Sequence, residues 1–386
     1  MFKHRGNHID LATLVAVLTL MVMGIGVVYS ASSTIAEKKF GQSEVYLQRH
    51  IIKVVVSLVA LFFIMKIDYH RYAKVSKIAL LVAISLLIAT LVLGGEIKGA
   101  SRWLRLGGFG FQPSEFAKFA LIFHLAVLIS EKKERLRDFK SGFLPMAIWI
   151  VLVTGLVLLQ PNFSTGMMLV VFSVFMLFVG GAKFKHIALS LSALLPLLAL
   201  YMLSAEYRMR RVMAFLSGDH ASSNYQLLQG IIGFGNGGLF GVGPGVSKQR
   251  DFFLPESYGD FVFSIVGEEY GYVGTMLLLF LFLIILLRGL KIAKLAKDDL
   301  GKYLAIGVTS SVTLYALVNA AVTLGLLPTT GLPMPFVSYG GSSMLFTACA
   351  IGVLLNISTQ TPLRPRMEQV PYAMADIEEE HMGAVY

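Results

Sequence analysis

Leu254-Pro-Glu-Ser-Tyr-Gly-Asp-Phe-Val-Phe-Ser-Ile-Val-Gly-Glu-Glu-Tyr-Gly271 closes a long polar stretch and opens an apolar one that runs from Phe261 to Leu287. A block of that length and apolar character reads as a helix that crosses a bilayer, since about 20 apolar residues span the hydrocarbon core. Asp260 stands at its mouth. A carboxylate in such a place is costly and invites a functional reading. Asp is also a favoured helix cap, because its side chain accepts backbone N–H bonds. The two roles are compatible, and the residue types alone lean toward the cap.

The rest of the chain repeats this pattern. Of its 386 residues 56% are hydrophobic and only 15% charged, and the mean hydropathy is +0.72. Apolar blocks run at Leu11–Ser30, Ile51–Ile67, Ser76–Leu93, Glu115–Ile129, Phe143–Leu159, Ser164–Val179, Ile187–Leu203, Phe261–Leu287, Leu304–Leu326 and Ser343–Ile357. The expectation is an all-α polytopic membrane protein with about ten spans, in which residues 1–358 form one domain and 359–386 a flexible polar tail. Ala31-Ser32-Ser33 resembles a cleavage site, but the apolar block before it is longer than a signal peptide requires, so the first span is expected to stay. Cys349 is the only cysteine, which excludes disulfides and thiolate metal clusters.

An even number of spans puts both ends of the chain on one side. With the N-terminus cytoplasmic, most of the 33 lysines and arginines fall in cytoplasmic segments, as the positive-inside rule requires. The net charge of +10 therefore reflects topology, and no nucleic-acid partner is expected. Four segments rich in Gly, Pro or Ser then lie outside: Gly94–Ser114, Gln160–Gly166, the long loop Ser204–Asp260, and Leu327–Ser342. Irregular backbone near a membrane is tolerated where it lines a cavity, so one outward-facing cavity is expected.

Within these segments, Lys118 lies three residues after Glu115 on one helical face, as either an ion pair or a cation for a phosphate-bearing substrate. Arg102 and Arg105 flank Trp103, as interfacial anchors or as a bidentate phosphate grip. The run Gly230–Gly245 lacks the Lys-Ser ending of a phosphate-binding loop and reads as a re-entrant or surface-lying segment. No His-Glu-x-x-His pair and no Gly-x-Ser-x-Gly elbow occurs, which removes metalloprotease and serine hydrolase chemistry. An enzyme acting on a lipid phosphate, a transporter and a flippase remain open.

Gly99-Ala-Ser-Arg-Trp103, Gln112-Pro-Ser-Glu115 with Lys118, Tyr225-Gln-Leu-Leu-Gln229, Gly237–Gly243, Leu254-Pro-Glu256 with Asp260, Gly267-Glu-Glu269 and Phe336–Ser343 occur in this order from the first span to the last. Together they resemble the SEDS family of bacterial membrane proteins, and its division branch more than its elongation branch. Two departures stand out: Tyr258-Gly259 where the family often has His-Thr, and Asn162 where it often has Asp. The resemblance implies a peptidoglycan glycosyltransferase that polymerises lipid II. The 4-hydroxyl of one lipid-linked chain attacks C1 of the other, undecaprenyl pyrophosphate leaves, and the anomeric centre inverts. It makes Asp260 the catalytic base and Lys118, Arg102, Trp103, Glu115, Arg210, Arg211, Ser338 and Tyr339 substrate-binding candidates. It further implies a divalent cation (Mg or Mn) at the pyrophosphate, a class B penicillin-binding protein and other divisome proteins as partners, and residence in the bacterial inner membrane. The competing readings are a lipid II flippase, an elongation-type polymerase of the same family, and a scaffold that recruits a separate polymerase.

Overall fold

The computed structural model describes residues 8–94, 102–106, 109–217, 225–254 and 257–361. Its helices, in chain order, are α1 (Leu11–Phe40), α2 (Val45–Met65), α3 (Tyr69–Leu93), α4 (Pro113–Lys132), α5 (Leu144–Leu159), α6 (Phe163–Val179), α7 (Phe184–Leu203), α8 (Glu206–Ser217), α9 (Tyr225–Gly237), α10 (Lys248–Phe252), α11 (Val262–Leu295), α12 (Asp299–Thr323) and α13 (Gly341–Thr359). Among the described residues, nine helices are long and apolar enough to cross a membrane, and α6 is a shorter apolar helix of 17 residues. Each expected span thus has its helix. Among the described residues the one departure from all-α is a small hairpin, β1 (Leu104–Leu106) paired antiparallel with β2 (Phe109–Phe111), in register Leu104↔Phe111.

Local chemistry explains the helix ends. Asp10 caps α1, accepting from Thr13 N at 2.9 Å, and Gly41 ends it in the left-handed conformation. Ala31–Ser33 thus lie inside a continuous helix. Asp68 and Asp298 cap α3 and α12 in the same way, as short acidic side chains do.

The bundle has a centre and a rim. In the apolar windows of α4 and α12, 78% of residues are buried, against 11% for α7. Close approaches fix the core: a Cβ on Gly307 would meet Ile122 Cγ2 at 2.5 Å, one on Gly289 would meet Thr309, and one on Gly352 would meet the Leu61 carbonyl at 2.7 Å. Side chains of both ends show that the helices alternate in direction. Asp10, Tyr69, Asp298, Arg288 and Asn356 meet at one end. Asp260, Asn319, Gln160, Ser164, Tyr258 and Tyr339 belong to the other.

The apolar block beginning at Phe261 is not one straight helix. At Gly271 the backbone turns to φ 64, ψ −160, and α11 is two helical segments joined there. That conformation suits only glycine, and a Cβ would lie 2.4 Å from Gly241 N. The Gly230–Gly245 run explains the break. Gly230, Gly233 and Gly237 of α9 lie against Phe261, Ser264 and Gly267, so α9 packs along the first segment of α11. The following turn then pairs with the break through Tyr272 N to Gly238 O (2.9 Å) and Val273 N to Leu239 O (3.1 Å). Among its described residues the long loop between α7 and α11 is therefore largely helical, with α9 folded into the bundle.

Candidate functional site

Asp260 is half-buried and lies two residues before α11, whose cap position is Phe261. The expected capping place therefore falls to its neighbour. Three anchors hold its loop. Ser257 Oγ donates to Ala31 O at 2.9 Å, Tyr339 N donates to Tyr258 O at 2.9 Å, and Asn319 Nδ2 donates to Asp260 O at 2.7 Å. The second Asn319 Nδ2 hydrogen bond goes to Leu332 O at 2.8 Å. One buried amide thus ties the backbone of Asp260 to the loop that carries Gly331. Gly331 has φ +72, and a Cβ there would stand 3.6 Å from Asp260 Oδ2. The left-handed backbone at 331 favours glycine, and a Cβ there would be in ordinary contact with the carboxylate.

Gly331 is also a wall of a cavity of about 580 Å³, lined further by Arg102, Pro161, Asn162, Phe163, Ser164, Arg208, Arg211, Pro328, Thr329 and Thr330. Arg102 donates to the carbonyls of Gln160 and Pro161. Arg211 Nη1 reaches Thr329 O at 3.4 Å, and the Arg208 guanidinium stacks 3.8 Å over Tyr201. Ser164 Oγ donates to Thr330 O at 2.7 Å, closing the floor. The cavity therefore has a cationic wall, with Asp260 reached across Gly331, at the end where polar loops converge. Arginine on carbonyl oxygens keeps its charge, and its fork geometry suits phosphate.

The other sequence candidates separate. Lys118 and Glu115 are buried and pair at 2.8 Å inside α4, with Lys118 Nζ 4.0 Å from the Tyr315 ring. They make the ion pair that their spacing allows, and neither is among the residues that line the cavity. Trp103 packs on the hairpin, where a Cβ on Gly110 would meet it at 3.3 Å. Arg210, the neighbour of Arg211 on α8, makes an exposed pair with Glu206 one turn before it and does not line the cavity. Ser338 Oγ accepts from Met334 N at 2.8 Å and shapes its own loop. Tyr339 joins an aromatic group with Tyr46 and Tyr258. Lys98, Gly99–Ser101, Glu256 and the tail from 362 lie outside the described residues, as does the side chain of Arg105.

Sequence reasoning overlooked Asn319 and Arg208. It also left Glu268 and Glu269 without a role. Both are buried: Glu268 takes Lys248 N and Gln249 N at 3.2 Å and so caps α10, and Glu269 takes Ser30 Oγ at 2.5 Å with Arg250 at 3.6 Å. They fasten the glycine-rich loop to α1 and α11. In the same loop Asp251 titrates below the usual carboxylate range. Its burial pushes the other way but is outweighed by hydrogen bonds from Arg250 and Thr34 and by the Arg250 charge. A wider cleft, about 1070 Å³, opens at the opposite end among Ser130–Arg137 and Asp299. It holds none of the candidates, and Lys133 there is already paired with Asp299 at 2.9 Å.

For a divalent cation the donors are few. Among the described residues no cluster of three His, Cys, Asp or Glu side chains occurs, and the cavity lining holds no carboxylate, Asp260 standing behind Gly331. Hard cations take six or more oxygens, so these residues do not form a cage, and no step is assigned to a metal.

The comparisons agree with this architecture. A family model described as a cell cycle protein and covering FtsW, RodA and SpoVE matches residues 11–363. The probable peptidoglycan glycosyltransferase FtsW of Trichlorobacter lovleyi is 40% identical over 92% of this chain and 94% of its own length. The stage V sporulation protein E of Bacillus subtilis is 39% identical over 90% and 96%. A chain from a structure on the coordination of polymerization and crosslinking by a peptidoglycan synthase complex superposes with a TM-score of 0.74 at 25% identity, covering 91% of this chain and 97% of its own. Thermus thermophilus RodA gives 0.67 at 26% identity, covering 91% and 96%. This polytopic membrane chain belongs to the FtsW/RodA/SpoVE family of cell cycle proteins.

Proposed function

We propose that this chain is an FtsW-type peptidoglycan glycosyltransferase that polymerises lipid II during septal wall synthesis. The observation that carries the reading is Asp260 set against Gly331, a residue that lines a cavity together with Arg102, Arg208 and Arg211. An inverting transfer needs one base and a place for the departing pyrophosphate. Asp260 takes the proton of the attacking 4-hydroxyl as C1 changes partner and configuration. The arginines meet the charge that develops on the leaving pyrophosphate, where preorganised donors are most effective.

Orientation follows from charge. The end holding Lys66, Lys74, Lys133, Arg135, Lys183, Lys291 and Lys294 faces the cytoplasm, and the Asp260 end faces outward from the inner membrane. The family likeness to a chain from a synthase complex supports a class B penicillin-binding protein as partner, alongside other divisome proteins.

Polymerisation of purified lipid II in liposomes, with a partner whose transpeptidase site is inactivated, tests the reading. Wild type is expected to make glycan strands and Asp260→Asn to lose about 10²–10⁴-fold in rate, the usual contribution of a positioned base. An Asp260→Asn protein of wild-type rate would remove the base. Transfer of lipid II across the bilayer without strand formation would instead favour the flippase.

A further inference from the structure

At the end that holds Asp10, turned to the cytoplasm by its lysines and arginines, one imidazole stands between two carboxylates. His70 Nδ1 lies 2.7 Å from Asp68 Oδ1, and Nε2 lies 2.8 Å from Asp298 Oδ2. The two acids come from distant parts of the chain: Asp68 caps α3 and Asp298 caps α12. Tyr69 completes the contact. Its hydroxyl donates to the same Asp298 oxygen at 2.8 Å, and its ring stacks on His70 with centroids 4.1 Å apart. Gly301 leaves it room, since a Cβ there would meet the Tyr69 hydroxyl at 3.2 Å. Asn356 of α13 accepts from Tyr69 N at 2.9 Å and donates to Met65 O at 2.9 Å. Tyr69 and His70 thus fasten the turn between α2 and α3 to the start of α12 and to α13.

The hydrogen count fixes the protonation state of this joint. A neutral imidazole carries one N–H, so it donates to only one of the acids and turns a lone pair on the other. Both acids are ionised at neutral pH. Burial pushes each upward, but it is outweighed at Asp68 by bonds from the His70 backbone N–H and ring, and at Asp298 by bonds from Gly301 N, Tyr69 and the His70 ring. Among the described residues no lysine or arginine pairs with either acid, and the other side chain on Asp68 is the neutral Gln360. His70 is therefore the cation that serves both, and it does so only as the doubly protonated ring.

We infer that Asp68, His70 and Asp298 form a proton-dependent clasp, closed while His70 is an imidazolium and released when the ring gives up a proton. Deprotonation removes one hydrogen bond and the ring's charge, and it leaves a lone pair facing a carboxylate. Stabilisation by the clasp is full on the acid side of the imidazole titration and is lost as pH rises through it. Toward acid it ends only where Asp68 and Asp298 themselves protonate, below about pH 4. The helix held in this way is α12, whose far end carries Asn319, the tether of the Asp260 backbone. Cytoplasmic pH thereby decides whether α12 is fixed at one end or at both. The clasp stands whether or not the chain is a polymerase.

Hydrogen exchange of the full chain in nanodiscs, corrected for the intrinsic pH dependence of amide exchange, tests the clasp between about pH 5.5 and about pH 9. The amides to follow are those of Tyr69, His70, Gly301 and Lys302, which are bonded within it. In wild type their protection is expected to fall several-fold as pH rises, while the middle of α12 stays constant. His70→Arg carries a charge that does not titrate in this range, and its protection is expected to stay high and flat. His70→Gln is expected to be low and flat. Asp298→Asn keeps a capping side chain on α12 but removes one of the two charges, so the step is expected to shrink and move to lower pH. Wild-type protection that ignores pH, the same fall in His70→Gln, or an unchanged step in Asp298→Asn would overturn the clasp.

Discussion

The two ends of this bundle handle charge in opposite ways. At the Asp10 end, acids meet bases: Asp10 binds Arg288, Lys133 binds Asp299, and His70 bridges Asp68 and Asp298 at 2.7 and 2.8 Å. At the Asp260 end, cations near the carboxylate loop also engage neutral groups. Arg102 and Arg211 donate to backbone carbonyls, and Arg49 and Lys53 lie over rings. The ion pairs present at that end, such as Arg250 with Asp251, fasten loops to helices. Pairing closes one end, and the gathering of positive charge prepares the other for a doubly anionic substrate. The Asp10 end is a knot, and the Asp260 end is a receptor.

The largest expected effect is on the backbone that builds the receptor end. Gly271→Ala forces a side chain into a left-handed position against Gly241 N, with α9 and α11 both attached. Strain and overlap together are expected to cost about 3 kcal/mol or more, read as a fall of the Tm in detergent. Gly155→Ala on α5, where nothing lies within 4 Å, should leave the Tm unchanged. A robust Gly271→Ala protein would show that α11 runs unbroken.

Next comes Asn319. Its amide holds Asp260 and Leu332 together, so Asn319→Ala should misplace the base and lower kcat by about 10²-fold, with KM little changed. Asn319→Asp should also move the acid limb of the rate profile upward, since a second carboxylate nearby raises the first. If kcat falls only in step with thermal stability and the pH profile stays in place, Asn319 is a packing residue. On α8 a smaller split is expected: Arg211→Ala raises KM for lipid II several-fold, whereas Arg210→Ala, paired at the surface, changes it by less than about twofold.

The Asp10 end offers a pH test. Burial pushes Asp10 and Asp298 upward, but bonds from Arg288 to the first, and from Gly301 N and Tyr69 to the second, outweigh it and hold both below 3.8. A depressed carboxylate lends stability that is full above the unfolded value and is lost as pH falls through the folded one. Hydrogen exchange at the ends of α1 and α12 should therefore rise below about pH 4. Exchange there that is flat down to pH 3 would mean these pairs contribute nothing.

Much of this was legible in the sequence, for reasons that differ by residue. The spans stand out because hydrocarbon demands unbroken apolar length, and each expected block has its helix. Glu115 and Lys118 could be read as a pair because three residues is a helical contact. The break at Gly271 could not, since glycine inside an apolar block is ordinary and only the distant Gly241 turn makes it obligatory. Asn319 was hidden similarly: its two acceptors lie 59 and 13 residues away. Ser338 and Tyr339 sat in a recognisable motif, yet motif membership does not say which residues face a cavity and which hold a loop.

The most direct test of the contrast neutralises one acid at each end, Asp260→Asn and Asp10→Asn, and measures strand synthesis and Tm on both proteins. Asp260→Asn is expected to abolish polymerisation at an unchanged Tm. Asp10→Asn, which breaks a buried pair, is expected to lower stability by about 1–3 kcal/mol while the folded protein polymerises at the normal rate. A destabilised Asp260→Asn that still polymerises, or a stable Asp10→Asn that does not, would contradict the division of the molecule into a knot and a receptor.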